Sequence, residues 1–384
     1  MPVARRPGMA TKNGSSRGKE KIRYGVVGLG HITQVAVLPA FAHARENSEV
    51  RALVSGDRTK LRKLGTRHGV PIHATYDEFD DLCRSGEIDA VYIALPNHLH
   101  REYTERAAAA GIHVLCEKPM ATTTADCEAM IDACSRAGVK LMIAYRLHFE
   151  RANMEAVRVV TSGKIGEPRF FSSDFSQDVR PGDIRLQKEK GGGTLWDIGV
   201  YCVNAARYLF RAEPLEAFAV AASRPDPRFD ETEEMAAATL RFPDDRLASF
   251  VCSFGSSDVA SYRVVGTKGD LRVDPAYAYA EGLAFELTVG GKTTTARFPK
   301  RDQFAPELLY FSRCVLEDRD AEPSGVEGLI DVRIVEALYE SVRTGRPVPL
   351  DLPEKEERPT LRQEIRRPPV QKPPRPIGTK SPSR

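Results

Sequence analysis

The chain has 384 residues, of which 41% are hydrophobic and 28% charged, with a formal net charge of +3. That length buries two cores, and that composition belongs to a globular chain. The excess positive charge sits at the two ends, no apolar run approaches the ~20 residues that span a bilayer, and the seven scattered cysteines form no C-x-x-C pair, which argues against a membrane span, a nucleic-acid-binding core, a disulfide framework and a zinc site.

Residues 1–21 are basic and glycine-rich, with no apolar segment behind Arg5-Arg6, so a disordered leader without an export signal is expected, on a cytoplasmic protein. IRYGVVGLG (22–30) is a short apolar run ending in glycines, the pattern of a buried parallel strand, and ITQVAVLPAFAHAR has helical spacing. VRALVSG (50–56), DAVYIALP (89–96), HVLCEKP (113–119) and KLMIAYRLHF (140–149) continue the strands. Between them DRTKLRKLGTRHG, EYTERAAAAG and TADCEAMIDACSRAG read as helices that stop at Gly69, Gly111 and Gly138. This alternation predicts a doubly wound Rossmann sheet over 22–147.

From 148 to 351 the pattern becomes α+β. RFFSSDF, EAFAVAAS, EEMAAATLRF, RLASFVCSF, SYRVVGT, GDLRVDP and AFELTVGG read as strands of a mostly antiparallel sheet. DIGVYCVNAARYLF, PELLYFSRCVLED and about 325–344 read as helices. Residues 352–384 are Pro- and Arg-rich and are expected to be a disordered tail.

Gly28 and Gly30 follow the first strand and open a helix, the context that gives a G-x-G-x-x-G turn meaning. Gly28 permits the turn and Gly30 the approach of a pyrophosphate, with His31 and Ile32 at the helix N-terminus. Thr33 stands where the third glycine is expected. That glycine serves helix–strand packing rather than phosphate contact, so a small residue can replace it. At the end of the second strand Ser55, Arg58 and Lys60 suit the 2′-phosphate of NADP, while Asp57 could serve NAD instead.

Other candidates gather at predicted strand ends. Leu95, Asn97 and His100 follow the third strand and could meet the cofactor's ribose and nicotinamide, or cap the next helix. Glu117-Lys118-Pro119 follows the fourth, placing Lys118 where ligands bind in such sheets. Arg146 and His148 would share one side of an extended fifth strand, toward cofactor and substrate. Asp197 and Tyr201 are four apart after a run of three glycines, on one helical face. Tyr201 suits a general acid/base beside Lys118, and the glycines would let the chain approach a ligand. Arg180 and Arg185 are either substrate-loop residues or surface charge.

With YGVVGLGHITQVAVLPAF, ALVSGDRTK, IDAVYIALPNHLH, HVLCEKPMATTTADCEAMIDA, LMIAYRLHF, GGGTLWDIGVY and DVRIVEALYESVRTGRPV together, the chain resembles the Gfo/Idh/MocA oxidoreductases over about residues 22–350, most of all their glucose–fructose oxidoreductase branch. The resemblance implies hydride transfer between a nicotinamide, NADP rather than NAD, and a sugar or polyol carbon. It also implies a large open antiparallel sheet whose free face joins copies into a homodimer or homotetramer. Lys118 matches the family's catalytic lysine, Asp197 and Tyr201 its D-x-x-x-H/Y pair, and Ser55 and Lys60 its 2′-phosphate contacts. A dehydrogenase of another polyol, anhydro-sugar or diol with exchangeable NAD(P), and a non-catalytic NADP-binding regulator, are the alternatives.

Overall fold

In a computed structural model, which describes residues 21–371 and 375–383, the apolar runs of the first half form a six-stranded parallel sheet. Its strands are β1 (Ile22–Val27), β2 (Ser48–Val54), β3 (Ile72–Ala74), β4 (Ala90–Ile93), β5 (His113–Cys116) and β6 (Leu141–Ile143), in the order β3-β2-β1-β4-β5-β6. Val26, Val27, Leu53, Val54, Ile93 and Leu115 are wholly buried, as a sheet covered on both faces requires. The chain changes direction between β1 and β4, which leaves a crevice at the carboxyl ends of these strands. The expected leader lies, apart from Lys21, outside the described residues.

Two short elements, β3 and the helix Phe79–Arg84, have no counterpart in the sequence expectation, because three to six residues carry too little periodicity. The expected fifth strand is cut short. It stops at Ile143, and Arg146–Phe149 coils as a 3-10 turn. The unforeseen helix Arg151–Thr161 follows at once, capped by Glu150, whose carboxylate accepts from the Ala152 and Asn153 amides at 2.9 Å.

The second half builds a nine-stranded sheet from β7 (Pro168–Asp178), β8 (Glu216–Ala222), β9 (Met235–Phe242), β10 (Arg246–Ser253), β11 (Gly255–Gly266), β12 (Gly269–Val273), β13 (Leu283–Val289), β14 (Lys292–Phe298) and β15 (Val348–Pro349). The order is β14-β13-β12-β11-β7-β10-β9-β8-β15, antiparallel except where β10 runs parallel to β7. One face packs under the helices Arg151–Thr161, Val200–Phe210 and Gly325–Thr344. The other is open and carries Phe170, Val220, Leu247, Val251 and Val259, each 42–54% exposed.

The helix Ala305–Leu316 follows the second sheet in sequence but covers the first. Phe304, Leu308, Leu309 and Phe311 enter the core formed by Tyr24, Val26 and Val37. Ser312 Oγ lies 2.8 Å from both the Tyr24 and the Ser48 hydroxyls, and the Asn47 amide donates to the Leu309 carbonyl at 2.9 Å.

The expected solvated tail is instead laid along the molecule. Lys355 and Arg358 are 5% and 9% exposed, and they reach Glu327 at 3.1 Å and Glu213 at 2.9 Å. Arg367 meets Glu46 at 2.9 Å and donates to the His43 carbonyl at 3.0 Å. Charged residues cannot build a core alone, but here the body presents acids that offset their desolvation. Among the described residues no helix is long and apolar enough to cross a membrane.

Candidate active site

The crevice at the carboxyl ends of β1, β4 and β5 collects most of the residues singled out from sequence. Gly28 adopts φ +92°, and a Cβ there would lie 2.3 Å from the Ala94 carbonyl oxygen, so the turn needs glycine. A Cβ at Gly30 would meet nothing within 4 Å, which leaves open room over the backbone. Thr33 answers for the missing third glycine: it is wholly buried, and its hydroxyl donates to the Gly28 carbonyl at 2.8 Å, tying the helix to the turn. The helix opens with a π-helical stretch, Thr33–Val37. The buried Nδ1 of His31 has no partner among the described residues. Open glycine backbone, a free helix N-terminus and an orphaned imidazole nitrogen together fit a dinucleotide pyrophosphate.

At the end of β2 Ser55 is 5% exposed, and its hydroxyl accepts from the Asp57 amide at 3.2 Å. Asp57 caps the helix Arg58–His68, accepting from the Thr59 and Lys60 amides at 2.8 and 3.0 Å. Its carboxylate is thus engaged locally. Arg58 is 78% exposed, with Glu78 no nearer than 3.9 Å.

Lys118 projects from the end of β5, 11% exposed. Its Nζ donates to the main-chain oxygen of Asp197 at 2.9 Å, stands 3.8 Å from the Asp197 carboxylate, and lies 4.5 Å from the centre of the Tyr201 ring. Asp197 sits in a second π-helical stretch, Leu195–Gly199, that leads into the helix bearing Tyr201. Lys118, Tyr145, Arg146, Tyr201, Asn204 and Tyr208 line one cavity.

The Asp197 carboxylate belongs chiefly to Arg185, whose Nε donates to it at 2.7 Å; Arg185 also bonds Asp183 at 3.1 Å. Burial would raise the Asp197 carboxyl, but Arg185 and then Lys118 overcome it and hold it below the usual carboxylate range. Arg185 is therefore a site residue, a point its sequence neighbourhood leaves open.

Arg146 is 6% exposed and donates to the Tyr277 carbonyl at 2.6 Å and to the Tyr201 hydroxyl at 3.3 Å, with Gln303 on its other nitrogen. Glu117 accepts from the Tyr92 hydroxyl at 2.8 Å; burial pushes its carboxyl up, opposed by Lys118.

Three expectations are corrected. His148 does not share a strand face with Arg146, because the chain coils there. It is wholly buried with Nε2 2.8 Å from Asn204 Oδ1, and burial pushes it down to about 4. His100 is also wholly buried, and its ring nitrogens lie 2.9 and 3.0 Å from the carbonyls of Leu95 and Pro119. It staples two strand-end loops together and is closed to a cofactor, while Leu95 itself is only 8% exposed. Asn97, half-buried, donates to the Gly191 carbonyl at 2.8 Å from its side-chain nitrogen alone. The glycine run approaches protein, not a ligand: a Cβ at Gly191, Gly192 or Gly193 would meet Thr122, the Arg185 carbonyl or the Tyr339 hydroxyl within 2.5 Å.

Residues 22–145 match a family model described as an oxidoreductase family with an NAD-binding Rossmann fold, and residues 153–272 match the GFO/IDH/MocA C-terminal domain. The chain is 35% identical to a D-xylose 1-dehydrogenase [NADP(+)] of Haloarcula marismortui over 86% of its own length and 93% of the relative's. It superimposes on the aldose–aldose oxidoreductase of Caulobacter crescentus, solved with glycerol, with a TM-score of 0.82, 42% identity, and coverage of 86% of this chain and 100% of that one. A 3-ketoreductase of Actinomadura kijaniata, solved with NADP and TDP-benzene, gives a TM-score of 0.77 at 27% identity, covering 84% of this chain and 98% of that one.

Proposed function

Because the chain belongs to the Gfo/Idh/MocA oxidoreductase family, we propose that it transfers hydride between NADP and C1 of an aldose. The reading rests above all on one observation. Lys118, at the carboxyl end of β5, is held by the Asp197 main chain at 2.9 Å and stands over the Tyr201 ring, and both line one small cavity. Relatives that act on xylose and on aldoses support the sugar class.

Gly28, Gly30, His31 and Ile32 hold the pyrophosphate, and Ser55, Arg58 and Lys60 hold the 2′-phosphate, while Asp57 Oδ1 caps the helix on which Arg58 and Lys60 stand. When bound, NADP supplies the hydride acceptor at C4 of its nicotinamide. Lys118 has three donors and gives one to Asp197, so two remain for the sugar hydroxyl. Tyr201 takes the hydroxyl proton in oxidation and returns it in reduction. Arg146 donates to the Tyr201 hydroxyl and fixes where that oxygen sits, while Asp197, clamped by Arg185, fixes Lys118. Glu117 supports the floor behind Lys118. The seven cysteines are free and buried, which suits a reducing compartment such as the cytoplasm.

The test is absorbance at 340 nm with the full chain, NADP or NAD, and a panel of pentoses and hexoses. Aldose-dependent reduction is expected, with kcat/KM for NADP about tenfold or more above that for NAD, the worth of one charge-assisted phosphate contact. NADP binding without turnover across the panel would make the chain a regulator instead.

We also infer that the open face of the second sheet joins copies of the chain. Phe170 and Leu247 are register partners on it, 46% and 47% exposed, with Val251 and Val220 further along the same face. Sedimentation should give a dimer or tetramer, and Phe170→Glu combined with Leu247→Glu should give a monomer. A monomeric parent chain at micromolar concentration would refute this.

A further inference from the structure

The last described residues return to the cofactor crevice. Ile377 packs against the core of the first sheet. Its amide donates to Gln34 Oε1 at 2.7 Å, and Gln34 Nε2 donates back to its carbonyl at 3.0 Å. The same Nε2 lies 2.9 Å from the carbonyl of Leu29, inside the glycine turn. Gln34 is 1% exposed, so this is a built contact and not a surface encounter. One residue on, the backbone passes over the start of the helix Arg58–His68: a Cβ on Gly378 would lie 2.8 Å from Lys60 Cε and 3.7 Å from Asp57 Oδ2. Arg67 donates to the Arg375 carbonyl at 3.3 Å.

The other end is tied to the second domain. The Arg180 amide donates to the Pro382 carbonyl and its Nε to the Ser383 carbonyl, both at 2.9 Å, and Ser383 forms an antiparallel bridge with Val179. Six residues therefore run from the glycine turn to the loop that carries Asp183 and Arg185. An extended segment of that length covers at most about 20 Å. His31, in the glycine turn, is near enough to Arg185 and Asp183 for their charges to act on its ring.

We propose that residues 375–383 are a strap that closes the crevice over bound NADP and holds the dinucleotide through successive turnovers. The strap ties its near end to the turn that carries the pyrophosphate and to the lysine at the 2′-phosphate end. Its far end sits on the loop that clamps Asp197. Release of the dinucleotide then requires the main-chain bonds to Gln34 or to Arg180 to open first. The inference rests on the NADP reading above.

The test compares three proteins loaded with NADPH: the full chain, the chain ending at Gln371, and Gly378→Val. Gly378 has φ +60°, so valine strains the strap where it passes Lys60, and the same measurement with NADH, which has no 2′-phosphate for Lys60 to hold, separates an opened strap from a displaced lysine. Excess NADP is added, and the fall in bound NADPH fluorescence gives the release rate without any sugar present. Release about tenfold or more faster from both altered chains, with unchanged far-UV spectra, is the expected result. Should the shortened chain fail to fold, Gly378→Val decides alone. Equal release rates would overturn the strap while leaving NADP binding intact. Tighter binding to the shortened chain would overturn it too, by making the segment a plug. A full chain that binds no NADPH would overturn the cofactor reading and the strap with it.

Discussion

Lys118→Ala is expected to lower kcat about a thousandfold while NADPH binding stays within a few-fold of the parent. The ammonium stands over Tyr201 and donates to a neutral main-chain oxygen, with the Asp197 carboxylate 3.8 Å off. In the proposed reaction its charge is therefore left for the sugar hydroxyl, with no carboxylate among the described residues closer than that. Alanine removes that donor but leaves Asp197 clamped by Arg185 and the glycine turn unchanged. The loss should fall on kcat and not on cofactor affinity. Arginine should not restore it, because its longer, planar fork cannot place a single donor where the compact ammonium stands. Stopped-flow reduction of bound NADP separates the two quantities, and full turnover by the alanine variant would remove Lys118 from the chemistry.

Arg207→Met should cost about 3–5 kcal/mol of stability, the scale for stripping one partner from a buried ionic cluster. Arg207 is 1% exposed and meets Glu327 at 3.0 Å, with Glu213 and Asp331 also on its guanidinium. Asn204, which lines the active-site cavity, donates to Glu327 at 2.7 Å and to Asp331 at 2.9 Å. Burial pushes Asp331 up to about 7 even with the arginine present, whereas Arg207 and Lys355 outweigh burial at Glu327 and hold it well below its usual range. Without Arg207 both carboxyls rise, Glu327 from its lowered position and Asp331 from its raised one. The folded state then binds more protons than the unfolded one above the ordinary carboxylate range, so stability falls as pH rises through that window. Urea midpoints should show a larger deficit at pH 8 than at pH 5. A deficit that did not vary with pH would mean that lost packing, and not lost charge, sets the cost.

Much of this was legible because it is local. Parallel strands announce themselves as short apolar runs, and the glycines at 69 and 138 end their helices in the left-handed conformation expected of them. Lys118 was legible because a strand end in such a sheet points at the crevice. What depended on a distant partner was not. Whether Arg185 is surface charge or a clamp is decided by Asp197, twelve residues away around a glycine run. His100 and His148 look like any polar residue at a strand end until the fold buries them. The helix Arg151–Thr161 hid behind a strand expected to run to residue 149, because the apolar run persists after the backbone has coiled. The tail was misjudged for a related reason: composition counts its charges but cannot see Glu213 and Glu327 waiting for them.

The return of the helix Ala305–Leu316 to the first sheet bears on how the chain is made. Residues 22–145 leave the ribosome with six strands ready to pair, yet one face of that sheet, covered in part by Val37, Phe41, Leu61 and Leu64, is completed only when Phe304, Leu308 and Phe311 emerge. At roughly 5–20 residues per second, that wait for some 160 residues lasts on the order of ten to thirty seconds. During it Tyr24 and Ser48 lack the Ser312 hydroxyl that joins them, and the apolar surface that Leu308 and Phe311 will cover stays in water. The early half of the polypeptide thus reaches its final form only when the late half arrives, so the two sheets mature as one unit although they are read from the message in turn.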